Sequence, residues 1–423
     1  MAMPMKAGAS KDAGHASPAL SLEEARGRIV GQLTPVATME RVAVREALGR
    51  VLGANVVSGV AVPAHTNSAM DGYAVRGMDL PSTGHAILRV IGQSFAGHPF
   101  GGAVAAGECV RIMTGAVMPR GTDTVVIQED ISRERDDGVR IGTGHRIGQH
   151  VRVAGEDLAV GATVLTAGRR IRASDLGLIA SLGIVEVEVR RRLRVAFFST
   201  GDELRSLGEP LREGDIYDSN RYTLYGMLTR FGADVLDLGV VRDEPAALRE
   251  AFERAGADAD VVLTSGGVSV GAADFVRDVL AEVGEVGFWK INMKPGKPIA
   301  FGRLRAGAAF FGLPGNPVSA MVTFYQVVQP ALDHLAGAEP RLPLTLTVHA
   351  GERLKKGSNR REFQRGRLEM GDDGELTVRS AAPQGSGILR SMSLANCFIV
   401  LGEDRGPVEP GETVRVEPFA GVI

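Results

Sequence analysis

Apolar residues along the chain fall into regimes with different periods. Near the start Leu22, Ala25, Ile29 and Leu33 recur at helical spacing. Between 61 and 149 the pattern changes to short β-type runs, such as 87–91 and 124–127, broken by Gly, Pro and Asp. This predicts a small all-β, barrel-like domain. Residues 150–190 are mixed, with a Gly-rich loop, a helix at 173–182 and an alternating strand at 184–189. Grouped with 20–60, they make one discontinuous, elongated mixed domain. The arginine-rich stretch 190–194 reads as a boundary.

From 191 to 338 the chain alternates between strands and helices. Buried-type runs at 195–198, 235–241 and 261–264 are separated by helical stripes. Those stripes are Leu224, Met227, Leu228 and Phe231, then Leu248, Ala251, Phe252 and Ala255, then Val276, Val279, Leu280 and Val283. Further strands are expected at about 286–291, 298–302 and 308–312, followed by a helix opening at Asn316-Pro317. Repeated strand–helix units with apolar strands predict a doubly wound, mostly parallel α/β domain. Residues 339–423 return to short β runs at 344–348, 376–378, 398–401 and 413–416, a separate C-terminal β domain.

Composition narrows the class. The 423 residues are 44% hydrophobic and 23% charged, with a formal net charge of −2, so no overall basic field points to nucleic acid or an anionic membrane. Cys109 and Cys397 are far apart, which fits a reducing compartment and provides no disulfide framework or zinc site. Residues 1–19, rich in Ala, Gly, Ser and Pro, read as a disordered tail without a signal-type apolar core. No stretch approaches the ~20 apolar residues a spanning helix needs, so the expected location is the cytoplasm. Of 48 basic residues only seven are lysine, and Lys290, Lys294 and Lys297 fall within eight positions. Such a cluster of compact point charges suits an oxyanion.

In open α/β sheets ligands bind beyond the carboxyl ends of the strands. There the sequence offers Glu203 after the first strand, Asp243 after the second, and Gly266, Gly267, Ser269 and Asp274 after the third. Acids this common at helix starts also serve as caps, the role expected of Glu244 before Pro245. Glu203, Asp243 and Asp274 together point instead to a cation such as Mg²⁺ beside phosphate. The glycines of 265–271 let backbone N–H groups approach a phosphate, although no Walker lysine follows. Lys294-Pro295-Gly296-Lys297-Pro298 is a stiff turn presenting two lysines. In 313–319, Asn316 reads as an N-cap, leaving N–H groups near Ser319 available to an anion.

These residues resemble a known family. The segments Asn67-Ser68-Ala69-Met70-Asp71-Gly72, Arg111-Ile112-Met113-Thr114-Gly115, 199–204, Asp218-Ser219-Asn220, 265–271, 294–298, 313–320, Phe363-Gln364-Arg365-Gly366 and Gly385-Ser386 are similar, in order, to those of the molybdopterin molybdenumtransferases. That family includes the E domain of gephyrin, and the resemblance runs from about residue 20 to the end. It implies insertion of molybdenum from molybdate into adenylylated molybdopterin, the final step of molybdenum-cofactor synthesis, with Mg²⁺-dependent release of AMP. It also implies a homodimer in which Asp71 and Thr114 act across the subunit interface, with molybdopterin adenylyltransferase and apo-molybdoenzymes as docking partners. Glu203, Asp243 and Asp274 would hold Mg²⁺, and Lys290 and Lys294 would stabilise charge at phosphorus. Lys297 would share that role and, with Ser319, Arg365 and Ser386, form an anion pocket for molybdate; Pro298 would be substrate-binding, and Asp218, Ser219 and Asn220 would contact the pterin or phosphate. By residue type alone Arg365 and Ser386 read as ordinary surface residues. Two other readings stay open: a molybdopterin adenylyltransferase, against which the extra β domains count, and a non-catalytic cofactor scaffold, against which the intact acids count.

Overall fold

The computed structural model describes residues 19–133, 138–267, 275–340, 343–357, 359–371 and 374–419. Nearly all of the expected N-terminal tail lies outside them. The described chain forms two compact units, residues 40–189 and the segment up to Met39 together with 190–423.

The second of these is built on a six-stranded sheet in the order Asp234–Val241, Arg194–Thr200, Val261–Ser265, Ala309–Leu313, Pro298–Leu304, Gly284–Lys290. The first four run parallel. Pro298–Leu304 is antiparallel to both its neighbours, so five strands share one direction and one is reversed. Val261–Ser265 is buried at every position, as a central strand covered on both faces must be. The expected stripe Leu248, Ala251, Phe252 and Ala255 is buried against the sheet on the helix Pro245–Asp258. Phe252 stands edge-on to Phe198 and Phe310, at centroid distances of 5.1 and 5.5 Å.

The last helix of this domain runs Pro317–Thr323, loosens into a π turn at Phe324–Val328 and continues as Gln329–Leu335. Pro330 has no N–H to give to the carbonyl four residues earlier, that of Gln326. Arg26 takes that carbonyl with its Nε and the Gln326 amide oxygen with Nη2. Arg26 lies on the helix Leu22–Val30, whose start is closed by a capping box between Ser21 and Glu24. This helix was grouped from sequence with 150–190. It packs here on the Gln329–Leu335 helix, because its buried face and Arg26 find their partners there.

The C-terminal strands close on themselves. Arg361–Met370 pairs with Leu376–Ser380 on one side and Cys397–Leu401 on the other, and Leu346–Ala350 and Thr413–Pro418 complete a five-stranded barrel. Its core includes Val348, Val378, Ile399 and Val416. The two-residue strand Met293–Lys294 adds to it in parallel beside Arg361 and Glu362.

In the 40–189 unit a six-stranded mixed sheet runs Thr124–Ile127, Gly72–Val75, Glu108–Ile112, His85–Ser94, Gly138–Gly142, Ile131–Arg133. Gly72–Val75 is wholly buried, with Tyr73 and Val75 in one cluster and Ala74 in the other. A separate core joins Ala47, Leu52 and Val56 to Leu165, Ile179 and Val187.

Phe252 fills the centre of the α/β core. Phe252→Ala is expected to cost about 3–5 kcal/mol, read as a lower urea midpoint of the transition that carries this domain.

Candidate functional site

The common strand direction decides where the chemistry gathers. Five strands end, and the reversed one begins, at the same edge of the sheet. That edge carries Glu203 beyond Thr200, Asp243 beyond Val241, Gly266 and Gly267 beyond Ser265, and the 314–317 turn beyond Leu313. Lys290 ends its strand there, and Pro298 starts the reversed one.

Asn220 holds two of these strand ends together. Its Nδ2 donates to Ser265 Oγ and to the Gly315 carbonyl, both at 2.7 Å. Asp218 caps the helix Ser219–Phe231 by accepting from the Arg221 N–H at 3.1 Å. Its other oxygen is buried without a partner among the described residues, as are the hydroxyls of Ser199, Thr200 and Thr264 on the neighbouring strand ends. Ser219 is exposed. Gly266 has φ of 94°, and a Cβ there would lie 2.5 Å from the Thr200 carbonyl, so this turn accepts only glycine.

The acids at the edge repel one another. Asp243 is half-buried with one carboxylate oxygen unpartnered. Burial, then the neighbouring charges of Asp202 and Glu203, push its carboxyl above the usual range. Asp202 is an acid the sequence reading passed over. It sits next to Glu203 in the same turn and needed only the register of the adjacent strand to be noticed. Asp274 and Ser269 lie outside the described residues. Among the described residues no three acidic, His or Cys side chains are grouped closely enough to hold a metal ion.

Two of the lysines are exposed and have no ion-pair partner among the described residues, Lys290 and Lys297. Lys294 is paired at 3.2 Å with Glu362, which is 3% exposed. Burial pulls the Glu362 carboxyl upward, but bonds from Gln364, Lys294 and the Gly357 N–H outweigh it and keep the group ionised. Gly296 packs against Thr323 and the Ser319 carbonyl, so the two-lysine turn leans on the helix that carries Ser319.

Arg365 differs most from its expected place. It is 1% exposed, among the largest fully buried side chains. It lies on Arg361–Met370 opposite Phe398, on the strand face turned away from the barrel core. Its guanidinium donates to Ser391 Oγ at 3.0 Å and to the Gly385 carbonyl at 3.2 Å, and among the described residues no carboxylate pairs with it. Burial lowers its pKa to about 10, which leaves it charged at neutral pH. Ser386 follows, half-buried, and its backbone carbonyl accepts from the Val318 N–H at 3.1 Å. Asn316 takes the expected N-cap position before Pro317, although its side chain makes no cap bond among the described residues, and one N–H expected to be free, that of Val318, is taken. Arg365, Ser386, Ser319 and the Lys297 turn are thus neighbours.

In the 40–189 unit Asp71 and Thr114 are in contact. One Asp71 oxygen accepts from the Thr114 N–H and hydroxyl, both at 2.7 Å, and these bonds hold its carboxyl below the usual range.

Residues 20–183 match the model of the MoeA N-terminal region (domain I and II), 196–334 that of a probable molybdopterin binding domain, and 347–419 that of the MoeA C-terminal region (domain IV). The molybdopterin molybdenumtransferase of Haemophilus influenzae is 45% identical, over 95% of this chain and 98% of its own. The gephyrin of Dictyostelium discoideum is 33% identical over 89% of this chain and 59% of its own. The crystal structure of the molybdopterin biosynthesis moeA protein from Pyrococcus horikoshii OT3 superposes with a TM-score of 0.82 at 27% identity, covering 95% of this chain and 100% of that one. Fold and matches together define a transferase of molybdenum-cofactor synthesis, with an α/β molybdopterin-binding domain set among β domains. The chain belongs to the molybdopterin molybdenumtransferase family.

The strained acids give a pH test. Because folding raises the Asp243 pKa, its ionised form destabilises the fold at neutral pH, and the wild type recovers that stability as pH falls through the raised pKa. In metal-free buffer Asp243→Asn is therefore expected to melt above wild type at pH 7. The gain should vanish below about pH 4, where the carboxyl is protonated folded or unfolded. Equal melting at both pH values contradicts the repulsion.

Proposed function

We propose that this transferase takes adenylylated molybdopterin and molybdate, releases AMP and leaves molybdenum on the pterin dithiolene. The observation that carries the reading is Arg365, a buried cation without a carboxylate, beside Ser386 and the Ser319 helix. A buried charge is costly unless paired, and a planar fork with unfilled N–H donors suits a tetrahedral oxyanion. Molybdate supplies that charge.

The phosphates of the adenylylated substrate would lie along the sheet edge. Lys290 and Lys297 offer free ammonium groups to them, while Glu362 holds Lys294 in a fixed position as a third. The glycine turn at 266–267 allows close approach of backbone, and Pro298 fixes the start of the strand behind Lys297. Asp218, Ser219 and Asn220 line the same edge for the pterin or its phosphate. The described acids alone do not make a three-ligand group, but Asp243 offers Mg²⁺ an oxygen unpartnered among the described residues and acidic neighbours whose repulsion a cation relieves. Glu203 and Asp243, with Asp202 beside them and Asp274, would hold it. When bound it would neutralise phosphate charge and ease cleavage of the phosphoanhydride.

The working form on this reading is a homodimer, with Asp71 and Thr114 serving the site of a second copy. Molybdopterin adenylyltransferase would deliver the substrate and apo-molybdoenzymes would receive the product. The location is the cytoplasm, in keeping with two buried, unpaired cysteines. Among the described residues no helix is long and apolar enough to cross a membrane.

Incubation with adenylylated molybdopterin and Mg²⁺, with and without molybdate, tests the reading. AMP release that depends on both ions, with active cofactor passed to an apo-molybdoenzyme, is expected. Binding of the substrate with no AMP released would favour a carrier instead.

A further inference from the structure

Arg365 can serve an oxyanion only if its fork is held in one orientation, and two residues outside the set named so far control that. The Ser391 hydroxyl is fully buried and donates its single proton to the Ile388 carbonyl at 2.7 Å. With that proton committed, Ser391 can only accept from Arg365 Nε, 3.0 Å away. The contact fixes the plane of the guanidinium and turns Nη2 toward the Gly385–Ser386 step.

Gln384 acts on the backbone of the same residue. Its Oε1 accepts from the Arg365 N–H at 2.7 Å, and its Nε2 lies 3.1 Å from the Arg365 carbonyl and 2.7 Å from both Ser380 Oγ and the Ala382 carbonyl. Beyond the last pair of Leu376–Ser380, Gly366 with Ser380, the Ala381 N–H still reaches the Arg365 carbonyl at 2.9 Å, and the Gln384 side chain takes the Arg365 N–H. Because Gly385 and Ser386 follow directly, the same amide sets where this loop meets the Val318 N–H.

We infer that Ser391 and Gln384 are positioning residues for molybdate, holding Arg365 and Ser386 at a fixed separation from Ser319 without touching the anion. The inference rests on the oxyanion reading of Arg365 given above. It deepens that reading by naming what makes the pocket rigid. A guanidinium released from Ser391 swings about its last torsion and meets a tetrahedral oxyanion in many poses instead of one. A charge-assisted bond of this kind is worth roughly a tenfold change in affinity.

The test is AMP release by full-length enzyme with molybdate and adenylylated molybdopterin varied in turn, for Ser391→Ala, Gln384→Ala and Arg365→Gln, alone and with Ser391→Ala added to Arg365→Gln. Ser391→Ala and Gln384→Ala are each expected to raise KM for molybdate about tenfold while kcat and KM for the pterin hold. Adding Ser391→Ala to Arg365→Gln is expected to raise it no further, since Ser391 acts through Arg365. Gln384 is only half-buried, so its variant carries the comparison should Ser391→Ala melt early. Parallel increases in both KM values, or an undiminished Ser391 effect without Arg365, would mark a merely structural role and overturn the inference. If Arg365→Gln leaves the molybdate KM unchanged, the oxyanion reading itself fails. If Arg365→Gln raises it and the other two do not, only the positioning proposal fails.

Discussion

A charged guanidinium buried on the outer face of a β-barrel, with no carboxylate paired to it among the described residues, is the constraint around which the candidate site is organised. Desolvating such a group is costly, and protein carbonyls and a serine satisfy only part of its bonding capacity. An internal Asp or Glu would have stabilised the fold more cheaply and would have closed the site to anions. Instead the nearby buried acid, Glu362, is spoken for by Lys294, Gln364 and Gly357. Among the described residues no acid is paired with the cation, which is the opening the proposed oxyanion would fill.

The second constraint is direction. One reversed strand in an otherwise parallel sheet lets the lysine turn join two strands at the edge where the acids emerge. Charge is thereby sorted along this edge. Repelling carboxylates cluster after Arg194–Thr200 and Asp234–Val241, while ammonium groups gather around Gly284–Lys290 and Pro298–Leu304. A phosphorylated substrate lying along it would meet both. The short strand Met293–Lys294 then stitches the lysine turn to the barrel strand that carries Arg365, so the two are tied through one short parallel ladder.

Much of this was legible in the chain. The βα alternation, the helix starts at Pro245 and Pro317, and the acids at strand ends follow from periodicity and from where parallel strands deliver their loops. The burial of Arg365 was not, because it depends on Gly385 and Ser391, 20 and 26 residues further on, folding back over it, which no local pattern encodes. The barrel strand Arg361–Met370 itself escaped notice, since Glu362 and Gln364 on its inner face and Arg365 on its outer face are all buried, which breaks the expected alternation. The docking of the first helix was equally hidden: it turns on a carbonyl freed by Pro330 and claimed by Arg26, some 300 positions away. Asp202 was in plain view but indistinguishable from a turn acid until Asp243 was beside it.

The central claim is that the buried charge of Arg365 is completed by the substrate oxyanion. X-ray data collected at the molybdenum edge from crystals soaked in molybdate test it directly. The account predicts an anomalous peak within hydrogen-bonding distance of Arg365 Nη2, beside Ser386 and the first turn of the Ser319 helix. A peak elsewhere on the sheet edge, or a carboxylate found closed against Arg365, would contradict it.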